Sequence, residues 1–264
     1  YQREVFMTTR DKQQVARQFS RAAASYDSAA GVQHRAVTQL LEMPSLAAID
    51  GHWCDIGCGT GTALPHLKHR GAKQLTGIDM AEGMLKAASQ HQDQNTQLLL
   101  ADADALPIDN NSVNGLFSSL MLQWSENPQR TLQEWQRTLK PGGTLAIATL
   151  LPGTQHELKQ AWQAIDNHPH VNEFTAQETI IKALENSGFA NIVLQQECLT
   201  EYYESIQALL RGLKNIGATN VNQGRRTGLG GRDALRQLAA HYPIDSEGRF
   251  PLSYEVLWIT AVAT

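Results

Sequence analysis

The run Asp55-Ile56-Gly57-Cys58-Gly59-Thr60-Gly61 is the part of this chain best suited to hold a small ligand. Glycine has no Cβ and tolerates positive φ, so its backbone can pass close to a bound molecule. Placed after a strand and before a helix, such a turn sets the ligand at a helix N-terminus. Two features argue against a pyrophosphate there. The dinucleotide fingerprint is G-x-G-x-x-G, whereas here the third glycine arrives one residue early and Thr stands at position 62. A carboxylate at Asp55 would also face phosphate charge; it suits a ligand bearing an ammonium or sulfonium cation. Alone, a glycine-rich turn is weak evidence for a ligand, a plain turn being the alternative.

Two more acids give it direction. Asp79 ends the next apolar segment, roughly 20 residues beyond the glycines, where a carboxylate grips ribose hydroxyls. Asp102-Ala103-Asp104 closes the third segment, and an acid there can accept from an exocyclic adenine amine. Singly, either acid is equally a helix cap or turn former. Three strand-end acids around one glycine loop point to one shared ligand. No metal is expected. His66 and His69 lie a helical turn apart, and His168 and His170 flank Pro169, but no Cys or carboxylate completes either set at ligand spacing. No His–Asp, Cys–His or Tyr–Lys pairing stands out.

The elements that must position these residues follow from periodicity. Helical spacing marks Asp11 to Ala24 and about Val32 to Met43, the second stopping before Pro44. Strands ending at Asp55, Asp79 and Asp102 alternate with helices over Thr62–Arg70 and Ala81–Gln90. A strand over Val113–Leu120, a helix over Thr131–Leu139 and, after the Lys140-Pro141-Gly142-Gly143 turn, a strand over Thr144–Leu150 complete the series. Alternation of this kind builds a doubly wound, mainly parallel sheet with its ligand at the carboxyl edge of the strands. Past Pro152 helices are expected over Leu158–Asp166 and Thr175–Ser187, the latter opened by a Thr175…Glu178 capping box and closed by Gly188. Strands over Ile192–Cys198 and Tyr254–Val262 bracket helices over Glu204–Ile216 and Asp233–His241. The expected division is an N-terminal helical cap (1–45), a Rossmann-like domain (46–200 and 250–264) and a helical lid (201–249).

At 264 residues the chain is long enough for one α/β domain with insertions. Its 42% hydrophobic and 18% charged content is ordinary for a globular protein, and no stretch reaches the length of a membrane span. Met7 reads as a native start, so residues 1–6 are set aside. Three cysteines without framework spacing point to a reducing, cytoplasmic home and no membrane. The net charge of −4 hides a local excess: between Ser205 and Ala240 stand Arg211, Lys214, Arg225, Arg226, Arg232 and Arg236 against Asp233 alone. A solvated basic face is the plain alternative to a docking surface.

The chain resembles the class I S-adenosylmethionine methyltransferases. The resemblance is carried by the glycine loop, Gly77-Ile78-Asp79-Met80 with Met84-Leu85, Asp102-Ala103-Asp104-Ala105-Leu106-Pro107 and Leu139-Lys140-Pro141-Gly142-Gly143, about half of the chain. It implies a seven-stranded sheet and S-adenosylmethionine as cofactor. Asp55, Gly57, Cys58, Gly59 and Gly61 would then meet the methionine part, Asp79 with Met80 and Met84 the ribose side, and Asp102 with Ala103 the adenine. Ser118 and Leu120 would border the reacting sulfur, and Gln33 would reach the amino-acid end.

Further segments are similar to the malonyl-acyl-carrier-protein O-methyltransferases of biotin synthesis: Phe19 to Tyr26, Leu122-Gln123-Trp124, Gln160 to Ala164, Leu213 to Asn220 and Arg249 to Tyr254. That resemblance implies methylation of the free carboxylate of a malonyl group on acyl carrier protein. Such an acid, with a reference pKa of about 4, arrives ionised, so alignment replaces a base; positioning contributes on the order of 7–11 kcal/mol. Tyr26 is expected to orient the carboxylate, and Gln123 and Trp124 to wall the channel. Arg211 with Lys214 would pair with it, and Arg225, Arg226, Arg232 and Arg236 would dock the acidic carrier. A methyltransferase for a quinone or free acid is the alternative. Less favoured are a nicotinamide oxidoreductase, a nucleic-acid methyltransferase, for which stacking aromatics are lacking, and a cofactor-binding regulator without turnover.

Overall fold

Runs such as Trp53-Cys54-Asp55-Ile56 and Leu75-Thr76-Gly77-Ile78 are buried along their length. Strands covered on both faces carry this continuous pattern, which belongs to a central parallel sheet. A computed structural model, describing residues 11–218 and 232–264, shows that sheet. The chain runs α1 (Lys12–Ala29), α2 (Gly31–Leu41), β1 (His52–Ile56), α3 (Leu64–His69), β2 (Gln74–Asp79), α4 (Glu82–Ala88) and β3 (Thr96–Leu100). It continues with β4 (Val113–Ser119), α5 (Pro128–Thr138), β5 (Leu139–Leu150), α6 (His156–Gln163) and α7 (Gln177–Asn186). Last come β6 (Phe189–Tyr203), α8 (Ile206–Asn215), α9 (Arg232–His241) and β7 (Phe250–Ala263).

The seven strands lie in the order β3-β2-β1-β4-β5-β7-β6. The first five are mutually parallel, and β7 runs antiparallel to both β5 and β6. The order reverses between β1 and β4, the crevice where ligands of open α/β sheets bind. Asp55 in β1, Asp79 at the end of β2 and Ser119 at the end of β4 therefore share one edge. Asp102 lies just past β3 on the same side.

One buried cluster joins the sheet to α2, α3, α6, α8 and α9; the other joins it to α5 and α7. Each carries a tryptophan whose N–H finds a backbone partner, as a buried indole requires. Trp258 donates to the Ala36 carbonyl at 2.9 Å and ties α2 to β7. Trp135 donates to the Ala103 carbonyl at 3.0 Å and so pins the loop after β3.

Several elements differ from expectation. α1 runs to Ala29, five residues beyond its expected end, because nothing in Ala22-Ala23-Ala24-Ser25-Tyr26 breaks a helix. α7 is capped by Ala176 without a side-chain bond, so the Thr175…Glu178 box does not form. With that start Glu178 sits at the second helical position instead of the third, where it cannot reach back. The Lys140–Gly143 turn is a bulge within β5, where the register to β4 shifts and Gly142 takes φ +78°. β6 is twice as long as expected. It is an edge strand with exposed polar and apolar residues mixed along it, so the alternation that marks a half-buried strand is missing.

Candidate functional site

The glycine loop turns its amides inward. The Gly57 and Cys58 N–H groups both donate to the Ile78 carbonyl (2.7 and 3.0 Å), Gly59 N–H to an Asp79 carboxylate oxygen (2.9 Å) and Gly61 N–H to the Cys58 carbonyl (2.9 Å). Those donors are spent on shaping the loop and do not form a phosphate cradle. α3 begins only at Leu64 and has six residues, so no long helix points its N-terminus at the loop. Gly57 and Gly59 have φ of +71° and +55°; a Cβ at Gly57 would strike the Met121 side chain at 2.5 Å, while one at Gly59 would meet nothing. The open side of the loop thus faces Gly59.

That side is a cleft of about 850 Å³, counting the solvent it opens onto. Gly57, Gly59, Asp79, Met80, Met84, Asp102, Ala103 and Leu120 line it. A second cavity of about 400 Å³ continues behind the loop, lined by Gln33, Asp55, Cys58 and Thr60 with Gly57 and Gly59. Burial, with the negative charge of Asp79 next, pushes the Asp55 carboxyl up to about 8. A cation in the cavity would reverse that shift. Asp79 is also raised by burial, though the Ala81, Gly59 and Met80 amides partly offset it. Its second oxygen accepts from Ala81 N–H at 2.8 Å.

α1 lies across the cleft and is fastened at both ends. Lys12 spans the carboxylates of Asp102 (2.7 Å) and Asp104 (2.5 Å). Burial would raise Asp102, but the Asp104 amide and the Lys12 ammonium outweigh it and hold the carboxyl below its ordinary value. At the other end Asp27 accepts from the Thr60 hydroxyl at 2.6 Å. Between them Gly83 N–H donates to the Ser20 hydroxyl, and a Cβ at Gly83 would lie 2.5 Å from the Ser20 carbonyl, so only glycine permits this approach of α1 to α4. Lys12 escapes sequence reading because its partners lie 90 and 92 residues away. No local signal marks it.

Tyr26, near the end of α1, borders both of these cavities and a third of about 570 Å³. The third is walled by Gln123, Trp124, Leu120, Gln155, Phe174 and Tyr254. Trp124 packs edge-on to Phe19 with centroids 5.4 Å apart. Gln123 donates to the Leu120 carbonyl at 2.6 Å and accepts from Thr149. Burial first, then Asp79 and Asp27, push the Tyr26 phenol far above its ordinary value, so it stays a donor at neutral pH.

Some expected residues stand elsewhere. Ser118 lines none of the three cavities: it is fully buried and donates to the Ile56 carbonyl at 2.8 Å. Strand alternation turns its neighbour Ser119 to the cleft instead, with a buried hydroxyl that has no hydrogen-bond partner. Gly61 lines none of them either; at φ +84° it packs against Ala88, His91 and Leu64. Arg211 and Lys214 are exposed and outside the third cavity, because α8 buries the stripe Ile206, Leu209 and Leu213 and turns the two cations outward. Arg236 is exposed and pairs with Asp233 at 3.1 Å. Arg225 and Arg226 lie outside the described residues, as does the Arg232 side chain. Among the described residues there is no group of three or more potential metal-ligating side chains and no helix long and apolar enough to cross a membrane.

A methyltransferase-domain family model matches residues 54–147, the stretch from β1 into β5. The malonyl-(acyl-carrier protein) O-methyltransferase of Serratia marcescens is 39% identical over 253 residues, covering 95% of each chain. The biotin biosynthesis bifunctional protein BioHC of Cellvibrio japonicus is 38% identical over 97% of this chain, which spans only about half (51%) of that relative's length. Among solved structures, the YcgJ protein of Bacillus subtilis superposes with a TM-score of 0.64 at 14% identity, covering 87% of this chain and 98% of that one.

Proposed function

The chain belongs to the malonyl-(acyl-carrier protein) O-methyltransferase family, and from that premise we propose that it moves a methyl group from S-adenosylmethionine to the free carboxylate of a malonyl group on acyl carrier protein. The observation that carries this reading is that Tyr26 borders two acid-lined cavities and a third of opposite character. One side is rimmed by Asp55, Asp79 and Asp102; the other has no charged residue among its described walls. The buried Asp55 fits a cationic cofactor, since a positive neighbour favours its ionised form. When bound, that cofactor supplies an electrophilic methyl on sulfonium. Asp79 and the Asp102–Ala103 loop hold its nucleoside, Gln33 and the glycine loop its amino-acid end, and α1 excludes water above it.

The acceptor needs no base because it enters as a carboxylate. Tyr26 donates its hydroxyl to that anion and orients it toward the cofactor side. Gln123 and Trp124 wall the acceptor channel. Arg211 and Lys214, exposed on α8, steer an acidic carrier, and the sequence adds the charges of Arg225, Arg226, Arg232 and Arg236. Free thiols at Cys54, Cys58 and Cys198 fit a reducing compartment, and we place the protein in the cytoplasm.

The test is transfer of labelled methyl to malonyl-carrier and not to acetyl-carrier; labelling of acetyl-carrier, or of neither, overturns the acceptor. In the same assay Tyr26→Phe is expected to lower kcat/KM for the acceptor by about 10- to 100-fold, the effect of losing one hydrogen bond to a charged group. Cofactor affinity should stay at the wild-type level. A matching loss of cofactor affinity would instead assign the hydroxyl to the cofactor.

A further inference from the structure

Positive φ in a residue other than glycine costs strain and clusters at functional sites. Among the described residues four show it: Asn111, Leu120, Gln155 and Asn191. Asparagine adopts this backbone readily. The other two, Leu120 at φ +55° and Gln155 at φ +57°, line the same cavity. Each is held there by a backbone bond: Leu120 N–H donates to the Ala148 carbonyl (2.8 Å) and Gln155 N–H to the Ser253 carbonyl (2.6 Å). Gln155 is buried, as is Tyr254 at 3% exposed, and both residues wall this cavity.

We propose that Gln155 and Tyr254 form the seat for the carboxylate that is methylated, and that this seat holds it through uncharged donors. The inference rests on the carboxyl-methylation reading above and deepens it. No Lys, Arg, Asp or Glu is among the cavity's described walls. The absence of a cation has a chemical reason. A bidentate guanidinium would draw charge from both oxygens and weaken the nucleophile, whereas uncharged amide and phenol donors draw less. Transfer joins one carboxylate oxygen to the methyl carbon and returns the C–S bonding pair to sulfur. Two opposite charges vanish and no proton moves, so a low-dielectric seat favours the transition state over the separated ions. The sulfonium provides the counter-charge that an arginine would otherwise supply.

Gln155→Gly deletes the amide at a backbone position where glycine is at ease, so the fold survives. With malonyl-carrier as acceptor, kcat/KM should fall about 10- to 100-fold, at unchanged thermal midpoint and cofactor affinity. Gln155→Asn should recover part of the loss. Because its amide is withdrawn by one methylene, it should also shift preference from a malonyl toward a succinyl thioester. Tyr254→Phe should act in the same direction as Gln155→Gly. If the wild type does not label malonyl-carrier, the carboxyl-methylation reading fails. If it does, and Gln155→Gly and Tyr254→Phe match it, the seat alone is overturned. Loss of acceptor use in Arg225→Ala, with Gln155→Gly unaffected, overturns it too.

Discussion

Asp79→Ala is expected to lower cofactor affinity at least about 100-fold in calorimetric titration, because the substitution removes two roles at once. One is the proposed grip on the ribose hydroxyls, worth roughly 1.5–3 kcal/mol for each bond to a charged group, so two such bonds already exceed two decades. The other is architectural. The same carboxylate accepts from Gly59 at 2.9 Å and from Ala81 at 2.8 Å, so its loss frees the loop whose open side faces the cleft. Asp79→Asn should fail nearly as badly, since its amide would set N–H against N–H at one of these two contacts. Undiminished binding by Asp79→Ala would undo the assignment of this cleft to the cofactor.

The second large effect concerns Asp55 and pH. In the free protein burial pushes its carboxyl up to about 8, with Asp79 adding to the shift. Only the ionised form attracts a cation, so binding below that value must first release a proton. Cofactor affinity should therefore rise with pH, by up to about tenfold per unit, and flatten above about 8. Calorimetry in buffers of different ionisation enthalpy should register the proton. Asp55→Asn should abolish both the slope and the strong binding. Stability of the free protein runs the opposite way. A carboxyl raised from its ordinary 3.8 to about 8 binds more protons folded than unfolded. Stability contributed there is complete below the lower value and is lost as pH rises through the higher one. Asp55→Asn should accordingly melt higher than the wild type at pH 8 while binding worse. A wild-type pH profile in Asp55→Asn would assign the titration to another group.

How far the site could be read from the chain depended on what kind of signal each residue carries. The three acids were legible because parallel strands joined by right-handed crossovers all end at one edge; a residue closing such a strand is placed without knowing the rest. Ser118 shows the limit of a role carried by resemblance: strand alternation turns Ser119 to the cleft, while Ser118 donates to the Ile56 carbonyl. Arg211 was expected in the acceptor pocket because cations were sought wherever a carboxylate binds. The apolar stripe of α8, visible in the sequence, already turned it outward.

What the sequence determined by itself was the order of elements, the glycine loop, and the strand-end acids Asp55, Asp79 and Asp102 that line the adjoining cavities. These depend on contacts within one strand–turn–helix unit or on a shared strand end, and local spacing encodes both. Tertiary structure alone decided that Lys12 reaches Asp102 and Asp104 at the cleft, and that Tyr26 borders three cavities. It alone brought Gln155, in a positive-φ backbone position, to the same cavity as Tyr254 of β7. Such pairings arise when separate elements pack face to face, and side-chain positions set by packing leave no periodic trace in the chain.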